Sequence, residues 1–85
     1  MNVDQTLTER QSTHGDFKQN AECSQALKFT CRQHVVATLT HVQQEALDNI
    51  CQKLARILTG NPNHQDSWHD IAGYATLAEK SLDNS

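Results

Sequence analysis

Four carboxylates are the residues of this chain best placed to do chemistry: Glu45 and Asp48, three apart, and Asp66 and Asp70, four apart. On a helix, such spacings put both members of a pair on one face. Oxygen ligands so arranged suit a hard divalent cation such as Mg2+, with water and phosphate oxygens completing its shell. Each pair also has an ordinary reading. Asp66 and Asp70 fall where a helix begins, and negative charge is favoured there in any case. Glu45 and Asp48 suit a solvated surface. Lys53 and Arg56, also three apart, could neutralise a phosphate, the arginine through two parallel hydrogen bonds. Arg56 fits equally an ion pair with Asp66 or Asp70, and we favour that reading. Trp68 or Tyr74 could stack on a nucleobase, although their spacing fits a core.

Other chemistries find less support. Of the five histidines, His64 and His69 flank the start of a helix, while His14, His34 and His41 are scattered, and no pair has a zinc-site spacing. The three cysteines, Cys23, Cys31 and Cys51, match no disulfide or zinc framework. They read as reduced, mostly buried small apolar residues. Cys51 falls on the core side of a helix, which argues against a nucleophile. Neither a glycine-rich phosphate loop nor G-x-S-x-G occurs.

The elements that must hold these residues are helical. Thr40 and Gln43 form a T-x-x-Q capping box ahead of Leu47, Ile50, Leu54 and Ile57, which recur at three and four residues, with Cys51 and Leu58 widening the stripe. Gly60 stops this helix as a glycine just past its end, and Pro62 follows. After the turn NPNHQ, Asn63 or Asp66 caps a last helix patterned by Trp68, Ile71, Ala75, Ala78 and Leu82. Ala72, Gly73 and Ala75 leave a flat strip suited to close helix packing. So short a turn lays the two helices side by side as an antiparallel hairpin. An earlier helix, capped by Asp16 after the breaker Gly15, carries Phe17, Ala21, Ser24, Leu27 and Cys31 on one stripe. The β-branched stretch HVVATLT between them reads as a loop with apolar anchors, or as an arm crossing to another subunit. Residues 1–15 are polar and read as weakly ordered or arm-like, with Val3 and Leu7 spaced for one helical turn. The expected fold is therefore all-α: a single helical domain over 1–85, with a helix at about 17–33 and a hairpin of about 41–59 and 65–82.

Composition narrows the partners. The chain has 85 residues, 36% of them hydrophobic, so a monomer buries little and its stability is marginal. A homo-oligomer is expected, most simply a two-fold dimer. The net charge is −3 with seven scattered Lys and Arg, which speaks against a nucleic-acid backbone or an anionic membrane surface. A helix–turn–helix reading of 41–82 would point Asp66 and Asp70 at phosphates, the wrong charge. No apolar stretch approaches the roughly 20 residues of a membrane span, and MNVDQTLTER lacks a signal-peptide core. A cytoplasmic location is expected.

Two resemblances add to this. The blocks ERQSTHGDF and EALDNICQKLARILTGNPNHQDSWHDIAGYATLAEK, a little over half the chain, resemble a family of small proteins from tailed bacteriophages and prophages. That family has no established activity. The resemblance implies an all-α fold and a bacterial cytoplasm. The run from Asp70 to Tyr74, then Leu77 and Ala78, is similar to the second metal-binding helix of the MazG-like nucleotide pyrophosphohydrolases. Those enzymes use Mg2+ to cleave nucleoside triphosphates to monophosphate and pyrophosphate. The likeness implies metal binding by Glu45, Asp48, Asp66 and Asp70, with phosphate contacts from Lys53 and Arg56. The chain departs from that pattern in having Ser67 three before Asp70, with Asp66 displaced by one, and E-x-x-D in place of E-x-x-E.

Two functions stand open from the sequence. One is a small helical homo-oligomer that binds a phage or host protein and needs no cofactor. The other is a Mg2+-dependent pyrophosphohydrolase or nucleotide-binding protein.

Overall fold

Residues 3–6, 9 and 16–82 are described by the computed structural model. Three long helices follow one another: α1, Phe17–Gln33; α2, His41–Thr59; and α3, Gln65–Ser81. Residues 3–6 and 9 are helical as well, and no strand occurs among the described residues. The chain is all-helical, and the three helices lie where the apolar spacing put them. Gly15 and Leu7, given structural roles on sequence grounds, lie outside the described residues.

The start of α2 follows its local chemistry. The Thr40 hydroxyl accepts from the Gln43 backbone N–H at 3.1 Å, and the Gln43 side chain accepts from the Thr40 N–H at 2.9 Å. Two of the helix's unpaired donors are thereby satisfied. The other caps differ from expectation. Asp16 occupies the N-cap of α1, but its side chain makes no capping bond. The N-cap of α3 is His64, not Asn63 or Asp66, again without a side-chain capping bond. Asn63 is instead held outside the helix, where its N–H donates to Asn61 Oδ1 at 2.9 Å. Gly60 ends α2 as expected, with φ −128°, outside the left-handed region. Its N–H closes an ordinary helical bond to Arg56 O at 2.9 Å. Trp68 Nε1 donates to Pro62 O at 2.8 Å and ties this turn to α3.

Helix α2 is the centre of the arrangement. It packs against α1 on one side and α3 on the other, while α1 and α3 do not meet. At about 100° per residue, Ala46, Lys53 and Ile57 fall toward α3, and Cys51 and Ala55 toward α1. The apolar line Leu47, Leu54 and Leu58 falls between the two. Among the described residues, the buried apolar ones are few: Ala46, Cys51, Ala55 and Ile57. Small side chains at these contacts let the backbones approach closely. Leu47 and Leu54 are only half-buried, and Leu58 is 67% exposed. The stretch 34–40 is a loop, as expected, but Val35 and Val36 are exposed, and only Leu39 is partly covered.

Helix α3 shows a further shift. Ser67 is its buried residue, flanked by half-buried Asp70, Ile71, Tyr74 and Ala78. Trp68, Ala75 and Leu82, three members of the expected stripe, are exposed. A Cβ added at Gly73 would meet nothing within 4 Å. Within one chain, no helix packs on the small-residue strip.

Candidate functional site

The hairpin of α2 and α3 carries every candidate site residue, and pairing across it decides what each can do. Lys53 lies on α2 with its side chain 14% exposed, and its Nζ meets Asp70 Oδ2 at 3.0 Å. This bond, from an ammonium largely withdrawn from water, holds the Asp70 carboxyl below its ordinary value of 3.8. The cross-hairpin ion pair expected of Arg56 is thus made by Lys53. Arg56 forms no ion pair among the described residues, though its charge, with that of His69, also favours ionised Asp70.

The other carboxylates have separate partners. Asp48 faces α1, with Oδ1 3.6 Å from Arg32 and accepting from Gln44 Nε2 at 3.0 Å. Glu45 accepts from Asn49 Nδ2 at 3.2 Å on the exposed side of α2. Asp66 lies 3.8 Å from His64 Nε2 at the start of α3. Lys53 and Asp48 are five residues apart on α2, roughly 7.5 Å along its axis. Asp70 therefore sits about a turn and a half from the level of Asp48. Among the described residues, no three His, Cys, Asp or Glu side chains gather closely enough to hold a metal ion. Within a single chain, the four carboxylates do not form a Mg2+ shell.

Near the start of α2 the surface opens into a recess of about 320 Å3, lined by His41, Val42, Glu45, Ala46, Tyr74 and Leu77. Its wall is mostly apolar, with Glu45 on the rim and the Tyr74 ring against it. Sequence reasoning placed Glu45 and Tyr74 in different arguments. Only the antiparallel register, which sets the start of α2 beside the second half of α3, brings them together.

The thiols are free in this structure. Cys51 is buried, as expected, while Cys23 and Cys31 are half-buried. Cys31 and Cys51 face each other across α1 and α2 with their Sγ atoms 3.7 Å apart. Burial, the neighbouring Cys31 and the charge of Asp48 push the Cys51 thiol up to about 11, opposed by Lys28. Spacing alone could not reveal this pair, because it depends on the rotation of one helix against another. On the same face of α1, Asn20 Nδ2 and Ser24 Oγ are buried without a hydrogen-bond partner.

No helix among the described residues is long and apolar enough to cross a membrane. Residues 2–82 match a family described as a domain of unknown function, DUF6378, and the chain belongs to that family. No curated protein and no solved structure matches.

Proposed function

We propose that this member of the DUF6378 family is a self-associating helical protein that acts through protein–protein contacts, with a two-fold homodimer as its working unit. The observation that carries this reading is the partly covered apolar line of α2. Leu47 and Leu54, half-buried, and Leu58, exposed, face the gap between α1 and α3, two helices that do not meet across it. The accessible surface is 6369 Å2. A compact monomer of this mass exposes roughly 5000 Å2. The chain therefore exposes more surface than a compact monomer of its mass. A second copy laid along the gap would cover the leucines and could use the open strip at Ala72, Gly73 and Ala75. The likeness of its sequence blocks to small phage and prophage proteins supports a bacterial cytoplasmic setting and a host or phage protein as the further partner.

Sedimentation velocity on the wild-type chain and on Leu58→Glu tests this. Leu58 is exposed in the single chain, so glutamate there leaves the chain's own packing intact. The expected result is a dimer at micromolar concentration that Leu58→Glu converts to monomer. A wild-type monomer at every concentration up to about 100 μM, far above obligate-dimer dissociation constants, would sink the reading.

The recess beside Glu45 favours a second reading, a binder of a small, flat, partly apolar ligand such as a nucleotide. Its volume lies at the lower end of the usual range for small-molecule sites. Tyr74 would stack on the base; Lys53, seven residues beyond Ala46 and paired with Asp70, and Arg56 do not line the recess. The Mg2+-dependent form of this reading needs carboxylates from two chains, since one chain does not gather them. A melting-temperature screen against nucleoside triphosphates, with and without Mg2+, checks it. A shift abolished by Tyr74→Ala supports it, and no shift with any nucleotide counts it out.

A further inference from the structure

We propose that Cys31 and Cys51 form a redox-modification site: an organic disulfide converts them into an intramolecular disulfide bond that staples α1 to α2. The geometry carries the inference. The two Sγ atoms approach to 3.7 Å from facing helices, twenty residues apart in sequence. A disulfide bond is about 2.05 Å long, so the two sulfurs need to close by less than 2 Å to reach bonding distance. Access is asymmetric in a useful way. Cys31 is half-buried and open to a reagent, while Cys51 is buried behind it.

The chemistry balances as two exchange steps. The Cys31 thiol loses its proton, and its sulfur attacks one sulfur of the organic disulfide, expelling the first thiolate. Cys51 then loses its proton and attacks Cys31 Sγ in the mixed disulfide, expelling the second. The protein's sulfurs are each oxidised by one electron equivalent. The reagent's two sulfurs are reduced, and the two released protons end on them as thiols. Cys23 lies eight residues before Cys31 on α1, roughly 12 Å along the axis, and cannot substitute. The resulting cross-link closes the loop that contains residues 34–40, the only connection between the two helices.

Oxidised glutathione is the probe. The reduced full-length chain is incubated with it, alkylated and analysed by intact-mass and peptide mass spectrometry, with melting temperatures recorded before and after. Before alkylation the expected product is about 2 Da lighter than the reduced chain; after alkylation it carries one alkyl group, on Cys23, with Cys31 and Cys51 linked, where the reduced chain carries three. Its melting temperature rises by on the order of 10 °C, and dithiothreitol reverses both changes. Cys23→Ser should close as readily as wild type, and Cys31→Ser should not close at all. A persistent glutathione adduct on Cys31, a link to Cys23 or to another chain, no reaction, or a lower melting temperature after closure would each overturn the proposal. These readouts do not depend on oligomeric state, because both thiols belong to one chain.

Discussion

The Lys53–Asp70 pair is asymmetric, and that asymmetry makes a prediction. The lysine side chain is mostly covered, while the aspartate is two-fifths exposed. Removing the carboxylate leaves a withdrawn ammonium unpaired, whereas removing the ammonium leaves an anion that water can solvate. Asp70→Ala is therefore expected to destabilise the fold more than Lys53→Met, as read from urea midpoints. Equal midpoints would contradict the argument. The pH dependence has a definite sign. The folded-state pKa of Asp70 is depressed, so its contribution is fully present above the ordinary carboxylate value of 3.8 and is lost as pH falls through the lower folded value. Asp70→Asn should flatten the acid limb of the stability curve below about pH 5 and leave the neutral region parallel to wild type. At this scale the sequence identified Lys53, Arg56 and Asp70 but paired the wrong cation. Lys53 and Arg56 differ by about 60° around α2, and only the rotation of α2 against α3 chooses between them.

Helices were legible to within a residue or so at their ends, because end signals are local. Thr40 and Gln43 need only each other to cap α2. Thr40→Ala should cost about 1 kcal/mol, measured by chemical denaturation, and Thr40→Ser should restore most of it. A loss below a few tenths would mean that the capping box contributes little to stability. Packing faces were less legible. The sequence pattern picked out the large residues, Leu47, Ile50, Leu54 and Ile57, as the core of α2. The structure buries Ala46 and Ala55 more completely than Leu47, Ile50 or Leu54. An amphipathic pattern reports the mean direction of apolar side chains. It does not report that two neighbours flank that direction and leave its centre open. The exposed Trp68 and Leu82 on α3 have the same origin: the stripe is real, but α2 sits to one side of it.

At the scale of the whole molecule, the open gap, the large surface and the elongated outline are one observation. The Cα radius of gyration is 14.6 Å, whereas a compact domain of 85 residues has about 12 Å. With four buried apolar residues and no large side chain fully enclosed among the described residues, the helices show little of the core that normally offsets conformational entropy. If a second copy supplies it, unfolding and dissociation are a single step, and stability depends on protein concentration. The melting temperature should then rise by roughly 4 °C for each tenfold increase in concentration, given typical unfolding entropies for a dimer of this length. Leu58→Glu should lower the melting temperature and remove its concentration dependence together, because both follow from the same interface. A melting temperature independent of concentration across two decades, with Leu58→Glu equal to wild type, would mean that the leucine line is covered by something other than a second copy, and that the homodimer is not the working unit.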